Sequence, residues 1–505
     1  MAGYKKHYAP KPYDPKKRGY NPAWGKKPLA REEHKPISDP SVYQVAFFNA
    51  VVAGEHSIVL SSVPGSGKTA SEIAAAYLLP SGLRTAMFAF NKDTADTLAS
   101  KAPVGVDCRT NHSTGMRAIT KAYGRVQVDK HKDYRIAAAI VGDDKAENAE
   151  EAYNISKTMD LAKSVMADTN EEIDSVIDQF EIDIPKHTDR ETFIANTQKA
   201  LKACYEQTNL ISFSDMLGFC WKHKLAMPET YQRLFSDEVQ DQTPAQTYIQ
   251  LASLAPGGKY YGAGQKEQWL YGWAGSSEDG IDDLAKKLSA IQMPLSICYR
   301  CPKKVVELCA TLVPGIEAWD KAEDGILETC NEERMLKEAK PGSVIISRVN
   351  APLVSYCLRF LREGRKAKIA GRDMGKSLLF FIKNSEANDV SGLIEYTETW
   401  RQREIERLSA KNRDFTHVSD KADTILAFAS DALSLSQVID NITKMFSDDT
   451  DSNYITLTSC HRVKGKQWPV VWALASTFKA GESNAERNLA YVCFSRAEKE
   501  LYLVE

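Results

Sequence analysis

The residues Ser61-Ser62-Val63-Pro64-Gly65-Ser66-Gly67-Lys68-Thr69 carry the clearest chemistry in this chain. Glycines among small residues let backbone N–H groups turn inward around an anion, and a helix opening at the end of the loop adds its positive pole. Lys68 is placed to reach the β- and γ-phosphates of a nucleoside triphosphate, and the Thr69 hydroxyl to hold Mg²⁺. Pro64, Gly65, Ser66 and Gly67 are then the cradle between them. The flanking sequence agrees: His56 to Leu60 reads as a short buried strand, and Ala70 to Leu79 as a helix free of Gly and Pro. Ser62 stands where the general pattern has its first glycine. A plain glycine turn with an exposed lysine is the bland alternative, and the strand–loop–helix context speaks against it.

A second group completes a nucleotide engine. Asp237-Glu238-Val239-Gln240-Asp241 follows an apolar strand about 170 residues later. An aspartate at a strand end can hold Mg²⁺, and Glu238 beside it can orient or deprotonate an attacking water. Five acidic-loop residues alone are a weak signal; behind a phosphate loop they become a strong one. Cys298-x-x-Cys301 with Cys309 and Cys330 could be read as a metal site, but the spacing is irregular and small buried thiols are the simpler reading.

These stretches, with four more in the same order, resemble a superfamily 1 DNA helicase of the UvrD/Rep type. Asp237 to Asp241 matches the family's Asp-Glu-x-Gln-Asp. Gln268-Trp269-Leu270-Tyr271-Gly272-Trp273-Ala274-Gly275 is similar to Gln-Ser-Ile-Tyr-Gly-Phe-Arg-Gly, and Tyr299-Arg300-Cys301-Pro302 to Asn-Tyr-Arg-Ser. His461-Arg462-Val463-Lys464-Gly465-Lys466-Gln467-Trp468 resembles His-Lys-Ala-Lys-Gly-Leu-Glu-Phe, and Glu486 to Ala497 resembles the last motif. The resemblance implies that ATP and Mg²⁺ are the cofactors, with Lys68, Asp237, Glu238, Gln268, Arg300 and Arg496 catalytic and Thr69 and Asp237 on the metal. Gln44 and Tyr299 would recognise and stack on adenine, and Gln467 takes the ribose position. Tyr271 and Trp273 would stack on bases, with Phe90, Asn91, His112 and His461 as further DNA contacts. Ala274 replaces the family's Arg, Gln265 follows Gly264 where Asp is usual, Gln467 replaces Glu, and Ala89-Phe90-Asn91-Lys92 shifts the aromatic by one place.

The elements that must position these groups follow from composition and pattern. The 505 residues, 43% hydrophobic and 26% charged, suit roughly three soluble domains. No apolar run reaches the length of a membrane span, so a cytoplasmic protein is expected, nucleoid-associated or in host cytoplasm if viral. The ten scattered cysteines read as free thiols. The net charge of −2 hides an asymmetry, because residues 1–37 hold ten Lys/Arg against three Asp/Glu. That segment, net +7, also holds six prolines and five Tyr/Trp, and reads as a disordered arm suited to nucleic acid.

Strands alternate with helices from residue 38 onward, predicting an α/β fold with parallel sheets. The expected organisation is two RecA-like P-loop domains, each with a mainly helical insertion. The first domain is 38–118 with 213–290, and its insertion 119–212, where Leu161, Val165, Ile173 and Ile177 recur at helical spacing. The second is 291–371 with 451–505, and its insertion 372–450. The chain ends a few residues after the last motif, so no fused nuclease is expected. The resemblance implies an ATP-dependent helicase or translocase moving 3′ to 5′ on single-stranded DNA and at single/double-strand junctions, in replication, recombination or repair, with a replication or repair protein as partner. A translocase that displaces proteins without unwinding, and a non-catalytic DNA-binding regulator, are the alternatives.

Overall fold

The structure is a computed structural model and describes residues 37–142, 146–270, 272–410, 415–430, 432–446 and 453–505. The expected basic arm lies outside the described residues, save its last position.

Two six-stranded sheets organise the chain, and every strand pairing in them is parallel. The first runs, edge to edge, Asp107–Thr110, Thr85–Ala89, Tyr231–Ser236, Leu254–Gly264, Ile58–Ser62 and Ile291–Leu295. Successive side chains on a strand point to opposite faces, so a strand covered on both sides must be apolar throughout. Ile58, Leu60, Met87, Phe235 and Tyr261 enter one core, while Val59, Ala86, Phe88, Leu234 and Tyr260 enter the other. Helices on both faces close these cores.

The second sheet runs Ile326–Cys330, Ala497–Val504, Trp468–Leu474, Val344–Ser347, Ile455–Ser459 and Ala367–Ile369. Ile345, Leu457, Trp472 and Tyr502 face one core, and Val344, Ile346, Val471 and Leu501 the other. Strand Ile291–Leu295 requires a correction. The sequence reading opens the second domain at 291, yet this strand pairs in register with Ile58–Ser62, so the first sheet extends at least to Leu295. Parallel pairing on the strand that feeds the phosphate loop won over a boundary drawn from composition.

The two insertions are built differently. Helices Lys132–Val141, Ala146–Val165, Asn170–Gln179 and Arg190–Glu206 form the first around a core of their own, which takes in Leu161, Ile173 and Ile177 with Val165 packed against it. Its base is pinned by charge: Lys163 sits 2.8 Å from Asp133 and 2.7 Å from Asp215, and Lys132 2.7 Å from Asp215, all buried. In the second, helices Arg372–Asn384, Val390–Ser409, Thr416–Ala429 and Leu435–Met445 contribute Leu378, Leu393, Phe428 and Ile442 to the same core as one face of the second sheet.

Helix Asn111–Tyr123 meets helix Asp215–Lys222 at Gly115, where an added Cβ would fall well inside contact distance of the Met216 carbonyl. Backbone cannot yield there as a flexible side chain would. Gly115→Ala is expected to lower stability by about 1–3 kcal/mol, read as a shift in the midpoint of urea unfolding.

Candidate functional site

The phosphate loop sits where the physical argument puts it, at the C-terminal end of Ile58–Ser62, an inner strand of the first sheet flanked by Leu254–Gly264 and Ile291–Leu295. Gly65 and Gly67 adopt φ of 71° and 77°, which a side chain would strain, and helix Lys68–Leu78 starts directly from Gly67. Strand Tyr231–Ser236 ends beside it and delivers the acidic pair. Lys68 Nζ lies 3.0 Å from Glu238 Oε1, and the Thr69 hydroxyl donates to Asp237 Oδ2 at 2.7 Å. Glu238 itself sits in the left-handed region at φ 53°, a costly conformation for a side-chain residue that aims its carboxylate at the loop.

The opposite wall comes from loops of the second sheet and from a two-stranded ribbon, Ile297–Cys298 with Glu317–Ala318. Arg300 follows the short strand Ile297–Cys298, and its Cβ lies 2.5 Å from where Gly65 would carry one, so the approach requires glycine. Tyr299 N–H donates to the Gly65 carbonyl at 2.9 Å. Arg496, only 2% exposed, is held by carbonyls of Val492 (2.7 Å) and Lys466 (3.4 Å). Lys464 reaches across the cleft to Asp241 Oδ2 at 2.5 Å and to the Gln268 carbonyl at 2.7 Å. Gln268 Nε2 in turn donates to the Ser62 carbonyl at 3.2 Å and to Gln265 Oε1 at 2.7 Å. The cleft so enclosed is about 540 Å³ and is lined from both walls by Lys68, Thr69, Asp237, Glu238, Gln268, Arg300 and Arg496.

Electrostatics mark it as a charge cluster. Burial pushes the Glu238 carboxyl up, but Lys68 and Lys464 outweigh it and hold it down at about 2. Burial also pushes Lys68 down, and Glu238 and Asp237 more than restore it, leaving its ammonium above the ordinary range. Burial, with Glu238 nearby, raises Asp237, and burial raises Asp241 to about 7 despite Lys464. Burial and then Asp237 raise Glu72, one turn along the loop helix, well above the carboxylate range. A hydrated divalent cation fits this donor set. Thr69 and Asp237 converge on one point, and the Ser66 hydroxyl is buried in the cradle without a partner.

Comparison with known proteins bears on what this arrangement is. A family model described as the UvrD/REP helicase N-terminal domain matches residues 45–289, and one described as the UvrD-like helicase C-terminal domain matches 454–504. The chain belongs to the UvrD/Rep-like superfamily 1 helicases. It is similar to the ATP-dependent DNA helicase PcrA of Bacillus subtilis (strain 168), 32% identical over 113 residues, or 20% of this chain and 15% of that protein's length. Among solved structures, the helicase nonstructural protein 10 of an arterivirus matches over 90% of this chain and 62% of its own, at 12% identity and a TM-score of 0.33. That likeness is too slight to bear on the fold. The six-stranded parallel sheets are the two RecA-like domains of this helicase family.

The remaining expected site residues fall in several places. Gln44 and Tyr299 meet at one flank, the Tyr299 hydroxyl donating to Gln44 Oε1 at 3.2 Å and Gln44 Nε2 donating to Ser71 at 2.9 Å. Gln467 contacts Arg300 Nε at 2.8 Å. Phe90 and Asn91, placed by resemblance on DNA, line the same cleft as the phosphate loop. Asn91 also caps helix Lys92–Lys101 by accepting from Thr94 N–H at 2.8 Å. His112 stacks on Phe213 at 4.2 Å, and His461 lies near Arg348 and Glu486, whose guanidinium and carboxylate pair at 2.9 Å. Tyr271 lies outside the described residues; Trp273 belongs to the turn Gly272–Ala274, its side chain outside them. Of the four cysteines read as a rival metal site, Cys298, Cys301 and Cys309 are buried in one apolar core and Cys330 stands on the edge strand Ile326–Cys330. Among the described residues, ligand-like spacing occurs at Asp133, Cys204 and Asp215, where Lys132 and Lys163 already supply the positive charge.

Sequence reasoning missed Lys464 and Phe213. Lys464 stood inside a quoted motif, but its partner Asp241 lies 223 residues away. Phe213 is 60% exposed and aromatic, a signal visible only once its neighbour is known.

Burial lowers His112 to about 4 in the folded chain, whereas an unfolded histidine titrates near 6.5. As pH falls from about 6.5 to 4 the unfolded state takes up the proton first, so stability is lost over that window, by up to about 3 kcal/mol. His112→Phe should flatten that part of the stability–pH curve, measured by urea unfolding across the range.

Proposed function

We propose that this protein is an ATP-dependent DNA motor, a helicase or single-strand translocase moving 3′ to 5′ and acting in replication, recombination or repair. The observation that carries the reading is that Arg300 and Arg496 from the second RecA-like domain line the cleft that holds Lys68, Thr69, Asp237 and Glu238 of the first. Phosphoryl transfer is catalysed by positioning and by charge, and a site split between two bodies ties that charge to their separation.

Each residue then has a task. Lys68 exchanges Glu238 for the β- and γ-phosphates, and the backbone of Gly65 to Thr69 holds the rest of the chain of phosphates. Thr69 and Asp237 would hold Mg²⁺, which when bound neutralises charge on the β- and γ-oxygens. Glu238, relieved of Lys68, accepts the proton of the attacking water. Arg300 and Arg496 stabilise charge on the transferring group, and Gln268, bonded to the strand end at Ser62, senses whether that group is present. Gln44 and Tyr299 are placed for adenine, Gln467 for the ribose once it leaves Arg300. His112, His461, Tyr271 and Trp273 would serve single-stranded DNA and its junctions with duplex, with a replication or repair protein as loading partner. Aromatic stacking of bases is worth about 1–3 kcal/mol each and tolerates any sequence. No helix among the described residues is long and apolar enough to cross a membrane.

ATP hydrolysis with and without single-stranded DNA tests the reading. Strong stimulation by DNA is expected, abolished in Lys68→Ala, with Arg496→Ala lowering kcat by about 10³-fold or more while nucleotide still binds. DNA binding with a flat rate would instead support a regulator. Forked-duplex unwinding beside protein displacement separates helicase from translocase.

A further inference from the structure

Glu72 is a buried carboxyl on the phosphate-loop helix to which no motif assigns a task. It lies on helix Lys68–Leu78, four residues after Lys68 and three after Thr69, so the 3.6-residue period puts it on the side of the helix that those two residues use. It is 1% exposed, and its Oε1 has no hydrogen-bond partner. The charges that act on it are Asp237, Lys68 and Glu238, the cluster in which Asp237 accepts from Thr69. Lys68 is committed to Glu238 at 3.0 Å and leaves Glu72 Oε1 unmatched.

A buried carboxyl oxygen with nothing to bond is costly, and the cost is recovered only when a donor arrives. Phosphate oxygens are acceptors and negative, so the triphosphate cannot be that donor. A hydrated Mg²⁺ can: the ion keeps several of its waters when bound by one or two protein groups, and each water presents polarised O–H bonds. Thr69 and Asp237 account for the direct ligands and leave those waters in need of acceptors.

We propose that Glu72 is a positioning residue for the divalent cation, accepting a hydrogen bond from a water on the ion and fixing its orientation between Thr69 and Asp237. The inference rests on the nucleotide-motor reading of the site and adds to it a residue outside its motifs.

Binding of Mn²⁺ to the complex of the full-length protein with ADP, followed by the electron paramagnetic resonance of free Mn²⁺, tests it without reference to turnover. Glu72→Leu is expected to weaken Mn²⁺ about 10- to 100-fold, with metal-free ADP binding unchanged. The metal-free variant should melt no lower than the parent, because an unpartnered buried oxygen has been removed. Mn²⁺ affinity within about twofold of the parent overturns the proposal. If Glu72→Leu does not fold, Glu72→Asp decides: it withdraws the acceptor by one methylene and should lose at least about threefold, and unchanged affinity again overturns the proposal. A parent protein that binds no ADP refutes the nucleotide reading and the proposal with it. ADP binding with a metal response indifferent to residue 72 refutes the proposal alone.

Discussion

Charge balance in the cleft between the two sheets is the constraint on which the rest of the structure depends. The first domain brings carboxyls at Glu72, Asp237, Glu238 and Asp241 to the end of its sheet, with Lys68 among them. The second domain answers with Arg300, Lys464 and Arg496, and Lys464 closes directly on Asp241. Removing one partner of a buried ion pair costs about 3–5 kcal/mol, because the other charge is left without water or counter-charge. The two domains therefore hold each other through groups that a nucleotide would also want. On the proposed reading, a triphosphate would bring negative charge into this balance and claim Lys68 and the arginines, so each stage of hydrolysis would change how strongly the two walls attract. That link between phosphate chemistry and domain separation follows from the charges themselves.

The departures from the family pattern acquire partners here. Gln265, in place of an aspartate, lies 3.2 Å from the Tyr491 hydroxyl of the second domain while accepting from Gln268. Gln467, in place of a glutamate, bonds Arg300. Both are neutral amides, which can donate and accept at once: Gln265 links Gln268 to the opposite wall and Gln467 holds Arg300, and neither adds to an already acidic cluster. Gly65 belongs to the same account, since its missing Cβ lets Arg300 and the Tyr299 backbone touch the loop.

The insertions show two solutions to adding helices to a sheet. The first carries its own core and is tied to its parent domain by buried lysines and aspartates around Asp215. The second shares its core with the sheet it grows from, so it covers a face that would otherwise be exposed. Its four helices are thereby part of the second domain's stability.

Much of this was legible from residues alone. Ile58-Val59-Leu60, Val344-Ile345-Ile346 and Val470-Val471-Trp472 announce central parallel strands because both of their faces must be apolar. The phosphate loop and the acidic pair announce their chemistry because each motif is local. Asp107–Thr110 and Ile326–Cys330 were not legible, since edge strands bury less and read as polar. Strand Ile291–Leu295 was assigned to the wrong domain because sequence proximity to the next block says nothing of which strand it pairs with. The sequence by itself determined the parallel α/β class, the nucleotide loop and the order of its motifs, since these rest on local periodicity and spacing. Only the tertiary structure decided that Lys464 spans the cleft to Asp241, that Gln467 rests on Arg300 and that Glu72 is buried with one oxygen unpartnered. Those facts depend on charges brought together across hundreds of residues, where no local pattern reaches.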